Sequence, residues 1–265
     1  MIAEKLTREA LTAFARESRE AFEALLKEFV EVPTVSVDPT RKDAIREGAK
    51  LAAETIRRFG GEAEILDTPG NPIVSGTWSR NPDWPTVTVY NHLDVQPASR
   101  ETEPWETEPF VFTKRGDRYL GRGTTDDKGP ALTALFGMKA ALEAQLPVNL
   151  RVLWEFEEEI GSPSFERGIS AAAAGLATDS VLVSDTIWIA RGKPACPAGL
   201  RGLQGLRLTL ETGTTDQHSG VCGGAARNPI AELMKLVSEC FDATTGRVKV
   251  PGFYDGVVPP TKQEL

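Results

Sequence analysis

Histidine is nearly missing from this 265-residue chain: it has two, His92 and His218. Any metal site has to lean on carboxylates. Cysteine is also scarce. Cys196, Cys222 and Cys240 are odd in number, fall late and lack zinc-finger spacing. They exclude a disulfide framework and fit reduced, packed thiols in a cytosol. Basic residues are outnumbered, 30 Lys and Arg against 38 Asp and Glu, for a net charge of −8. No basic stripe exists to neutralise phosphates, which argues against nucleic acid or an anionic membrane as partner. No apolar run approaches the roughly 18 residues of a spanning helix. Residues 1–31 carry charges throughout (Lys5, Arg8, Arg16, Glu17) and lack the apolar core of a signal peptide. The expected location is the cytoplasm. Internal repeats and low-complexity segments are absent too.

What is present is an ordinary globular balance, 40% hydrophobic and 26% charged. Residues 6–30 place Leu11, Phe14, Phe22, Leu25, Leu26 and Phe29 at helical spacing, and residues 43–59 do the same before the stop at Gly60-Gly61. Short β-type runs follow at 63–66, 72–78 and 86–90, then a loop rich in proline and glutamate from Gln96 to Pro109. Phe110-Val111-Phe112 and Arg118-Tyr119-Leu120 suggest a hairpin around Gly116. A helix is expected from Gly129 to Leu142, strands at 150–154 and 181–183, and a helix between them around 165–174. Strands alternating with helices predict an α/β domain with a largely parallel or mixed central sheet flanked by helices. From Leu203 the pattern changes to a long alternating strand (Leu206, Leu208, Leu210), a Gly/Thr/His/Ser loop and a helix over 229–241. That is the start of an α+β unit, so the expected domains are 1–198 and 199–265. Thr261-Lys262-Gln263-Glu264 has the form of a capping box, a helix beginning. The second domain is therefore expected to be incomplete.

Chemistry gathers where predicted strands end. His92 and Asp94 follow the run 86–89; their spacing puts both on one face of extended chain, where the carboxylate can hold the imidazole's other nitrogen. Asp126-Asp127 precedes a helix, a position that by itself suits N-terminal capping. Glu157-Glu158-Glu159 follows the strand at 150–154, and alone reads as a solvated charge run. Ser184-Asp185 follows 181–183. Four acidic ends in one α/β domain suit a two-cation hydrolytic site, in which one carboxylate bridges the metals and a free glutamate is the base.

Taken together, Asn91-His92-Leu93-Asp94-Val95-Gln96-Pro97, Gly121-Arg122-Gly123 with Asp126-Asp127-Lys128-Gly129-Pro130, Glu158-Glu159-Ile160-Gly161-Ser162 and Ser184-Asp185 resemble the di-zinc peptidases of the carnosinase and aminoacylase family, in its dipeptidase-like branch. Leu200-Arg201-Gly202 and His218-Ser219-Gly220 match in the second domain. The resemblance implies a catalytic domain followed by the first part of a lid or dimerisation domain. It implies metal ligands at His92, Asp126 (bridging), Glu159 and Asp185. Asp94 would orient His92, and Glu158 would be general base and acid. His218 would reach the neighbouring subunit's site to polarise the substrate carbonyl. Two Zn²⁺ per full-length subunit are implied, with Mn²⁺ or Co²⁺ as other options, and a homodimer. A further histidine ligand downstream is implied and has no counterpart here. As written, His92, Asp126 and Asp185 would serve one metal, and Asp126 and Glu159 the other. The expected activity is metal-dependent hydrolysis of dipeptides or small peptides. Removal of an acyl group from N-acyl amino acids is the neighbouring alternative. A non-catalytic scaffold is the reading from another class, and the presence of Glu158 weighs against it. A 265-residue chain with this ligand set is expected to hold at most one zinc tightly and to be inactive.

Overall fold

The computed structural model describes residues 6–172, 175–186, 188, 190, 192–195, 197, 199, 200 and 202–262. They fall into two compact units, Met1–Pro197 and Ala198–Leu265. Arg201, Cys196 and the Glu264 of the capping box lie outside the described residues.

In the first unit, five strands pair in the order β1 (Glu62–Leu66), β2 (Ile73–Trp78), β6 (Asn149–Glu155), β3 (Thr86–His92), β7 (Ser180–Val183). β1, β2 and β6 pair antiparallel, while β3 is parallel to both β6 and β7. The sheet is thus mixed, as expected, and its parallel half aligns the carboxyl ends of β3, β6 and β7.

Helices α2 (Arg19–Glu31), α3 (Lys42–Arg58) and α4 (Lys128–Glu143) supply the main core. Leu26, Phe29, Ile56, Leu132 and Leu135 close over Val74, Val152 and Trp154. Removing such apolar area from water is the dominant stabilising term for the unit. α5 (Phe165–Ala172) adds Phe165, whose ring meets Tyr90 edge-on at 5.8 Å between centroids. α3 ends where Gly60 adopts φ +79, the left-handed turn that glycine takes without a Cβ clash.

Two expectations for this unit shift. Residues 6–30 form not one helix but α1 (Arg8–Glu17) and α2, parted at Ser18. α1 buries no residue whereas α2 buries four, so packing does not enforce one continuous rod across a residue of modest helix propensity. In the hairpin the first strand is β4 (Thr113–Arg115), not 110–112, paired with β5 (Arg118–Leu120). The tight turn at Gly116-Asp117 makes Arg115 face Arg118, so the strand must abut the turn. Phe112 instead packs toward the core beside Tyr119.

The second unit holds α6 (Ser219–Cys222), α7 (Pro229–Cys240) and a minimal hairpin, β8 (Phe241–Asp242) with β9 (Arg247–Val248). Asn228 caps α7, accepting from the Ile230 and Ala231 N–H groups, with Pro229 at the first helical position. The strand expected from Leu203 to Leu210 does not form: residues 202–210 have no regular secondary structure. Alternation marks a strand only where a ladder partner exists, and this segment has none among the described residues. Cys222 and Cys240 are free thiols.

Candidate metal centre

His92 is the last residue of β3 and only 1% exposed. Its Nδ1 lies 3.0 Å from the Asp94 carbonyl oxygen and 3.4 Å from Asp94 Oδ1. Its Nε2 points the other way, 2.9 Å from Asp126 Oδ1 and 3.9 Å from both Glu158 Oε2 and Asp185 Oδ2. One imidazole therefore looks into a ring of carboxylates contributed by the ends of β3, β6 and β7 and the start of α4.

Asp94 has a second task, not read from the sequence. Its fully buried carboxylate accepts the backbone N–H groups of Glu158 (3.2 Å) and Glu159 (3.1 Å), in the 3-10 turn after β6. The residue that steadies the imidazole thus also holds the acidic pair. From the far side Glu157 turns inward. Its two carboxylate oxygens take the N–H groups of Asn71 and Ser164, at 2.6 and 3.0 Å. The run of three glutamates is thus split by burial, with one member built into the protein and two facing the site. Gln96 adds a donor to Glu159 Oε2 at 2.9 Å.

Asp127 is the residue whose part was hardest to foresee. It occupies the N-cap position of α4, yet makes no side-chain capping bond. Its carboxylate is fully buried and accepts instead from Asn91 Nδ2 (2.7 Å) and the His92 N–H (3.2 Å). Two sets of ligand atoms lie within 4.8 Å of one another: His92, Asp126 and Glu159, and His92, Asp127 and Asp185. This grouping differs from the expected one by placing Asp127 beside Asp185 and by giving His92 to the Asp126–Glu159 set.

The electrostatics follow from crowding. Burial alone would lower the His92 pKa, but Asp126 and Asp94 on its two nitrogens raise it to about 11. The same imidazole lowers Asp126. Burial, with Asp185 nearby, pushes Asp127 up to about 8, against the hydrogen bond from Asn91. Burial also raises Asp185 and Glu158; His92 opposes both shifts, while Asp126 adds to the first and Asp185 and Glu159 to the second. Hard oxygen donors around one imidazole suit a divalent cation such as zinc or manganese. Asp127 Oδ1, buried with no hydrogen-bond partner, fits that chemistry as well.

Residues 88–250 match the family described as Peptidase family M20/M25/M40. The chain belongs to this family. It is 35% identical to the human Beta-Ala-His dipeptidase, over 93% of this chain and 52% of that one. It is likewise 35% identical to the Cys-Gly metallodipeptidase dug1 of Schizosaccharomyces pombe, over 98% of this chain and 57% of that one. Among solved structures it resembles human carnosine dipeptidase 1 (TM-score 0.72, 31% identity, 97% of this chain and 57% of that chain). It also resembles an M20 family metallo-carboxypeptidase from Sulfolobus solfataricus (TM-score 0.73, 32% identity, 90% and 54%). The chain spans little more than half the length of the relatives it matches.

Six residues singled out from the sequence, His92, Asp94, Asp126, Glu158, Glu159 and Asp185, converge on this cluster. His218 lies in the other unit, at the start of α6, where its Nδ1 accepts the Gly220 N–H at 3.0 Å. No helix among the described residues is long and apolar enough to cross a membrane.

Proposed function

We propose that this chain carries the catalytic centre of a cytoplasmic zinc dipeptidase that works as a homodimer. The observation behind this reading is the single buried imidazole whose Nε2 faces Asp126, Glu158 and Asp185 within 3.9 Å. The names of these relatives, a Beta-Ala-His dipeptidase and a Cys-Gly metallodipeptidase, support the substrate class. His92, Asp126, Glu159 and Asp185 are the proposed ligands, with Asp127 beside them. Zinc, or in its place Mn²⁺ or Co²⁺, held by these residues would supply the Lewis acidity that acidifies a water and polarises the amide carbonyl. Glu158 takes the proton of the attacking water and returns it to the leaving amine. In the metal-free site burial raises its pKa, the direction that brings a carboxylate toward the operating pH of a general base. Asp94 keeps Nε2 of His92 aimed at the site by engaging Nδ1. His218 is assigned to the substrate carbonyl in the neighbouring subunit.

The test is hydrolysis, by the full-length protein, of a panel containing β-Ala-His, Cys-Gly and N-acyl amino acids, with and without added Zn²⁺. Dipeptide cleavage that depends on metal is expected. Glu158→Gln should keep its metal and lose about 10²–10⁴-fold in kcat. Turnover of N-acyl amino acids alone would move the assignment to a deacylase, and near-normal kcat in the variant would remove Glu158 from its role.

A further inference from the structure

Among the described residues β7 is an edge strand of the sheet, and the exposure of Val181, Leu182 and Val183 is 59%, 51% and 49%. Its backbone ladder to β3 ends at Tyr90 opposite Val183, followed by one bond from the Ser184 N–H to the Tyr90 oxygen. Asp185 comes next. Four residues paired on one side are a weak mooring for a carboxylate that must sit at a defined distance from His92.

The side chain of Asn91 continues the pairing where the ladder stops. Asn91 is fully buried, and its Nδ2 donates both to the Ser184 carbonyl and to Asp127 Oδ2, each at 2.7 Å. Asp127 in turn accepts the His92 N–H. Both amide protons of one side chain are thus spent on tying the ends of β3, α4 and β7 together. We infer that Asn91 is a positioning residue for the metal centre, fixing Asp127 and the Ser184-Asp185 turn around His92; this rests on the metal-site reading above. No other described side chain is bonded to both the Asp127 carboxylate and the β7 terminus.

Loss of an outer partner of this kind weakens metal binding by about 10–100-fold. The protein is stripped with chelator and titrated with Co²⁺, reading both the dissociation constant and the visible d–d absorption. Asn91→Ala removes both donors, and Asn91→Asp keeps the volume while placing an acceptor against two acceptors. Both are expected to raise the Co²⁺ Kd by about 10–100-fold and to shift the d–d band, measured well below each variant's Tm. A lowered Tm with unchanged Kd and spectrum in either folded variant would leave Asn91 a packing residue and overturn the inference. If the unaltered chain takes up no Co²⁺, the metal-site reading itself fails, and this inference fails with it.

Discussion

Around His92, burial sorts the carboxyl groups by what they are able to do. Asp126, 63% exposed at its side chain and bonded to the imidazole, is held ionised. Asp127, fully enclosed, carries a pKa of about 8. In the metal-free chain the folded state therefore keeps a proton on Asp127 that the unfolded state releases near the ordinary value of 3.8. Such a group contributes stability below its unfolded pKa and loses it as pH rises through the folded one. Asp127→Asn removes that titration. The Tm of the variant relative to wild type, both in chelator, should therefore climb between pH 4 and 9; a constant difference would contradict the assigned burial cost. His92 shifts in the same direction, from 6.5 to about 11, mainly through Asp126 and Asp94, with a smaller contribution from Asp127 that the variant lacks. Sequence reasoning recognised the pair Asp126-Asp127 and divided its labour incompletely. The cue for capping was real, since Asp127 does stand at the N-cap; what redirected it was Asn91, whose reach across to β7 depends on tertiary pairing.

At the scale of elements, the turn after β6 is held between two carboxylates, Asp94 in front and Glu157 behind. Glu157 leans on the loop between β1 and β2, where Gly70 leaves it room: a Cβ there would sit 1.9 Å from Glu157 Oε1 and 2.7 Å from Ser164 Oγ. Gly70→Ala should overpack this contact and cost about 1–3 kcal/mol. The fall appears as a lower Tm, and wild-type stability would show that the loop yields freely. Elements that could be read in advance are those whose pattern carries its own partner. The run 150–154 is a central strand buried except at half-buried Leu153, and Pro229 with Asn228 starts a helix locally. Those read less well depended on distant chain. The break at Ser18 reflects the lack of buried surface under α1. The alternating leucines at 206, 208 and 210 found no neighbour to complete a ladder.

For the molecule as a whole, every proposed metal ligand lies in the first unit and His218 in the second. In the full-length protein His218→Ala is accordingly expected to leave Co²⁺ affinity unchanged while lowering dipeptide turnover. Mixing it with Glu158→Gln should restore activity in heterodimers, and exchange without recovery would confine His218 to its own subunit. The parallel pairing of β3 with β6 sets His92 opposite Glu155 and Asn91 opposite Trp154. A slip of one residue would exchange the faces of β3, pointing the imidazole to where the amide belongs. Only the correctly threaded sheet can then capture a cation. Free metal at 100 times its Kd for the native site would add about 2.7 kcal/mol to that one arrangement. A cation bound here would in this way favour the native strand alignment over its rivals, before any substrate arrives.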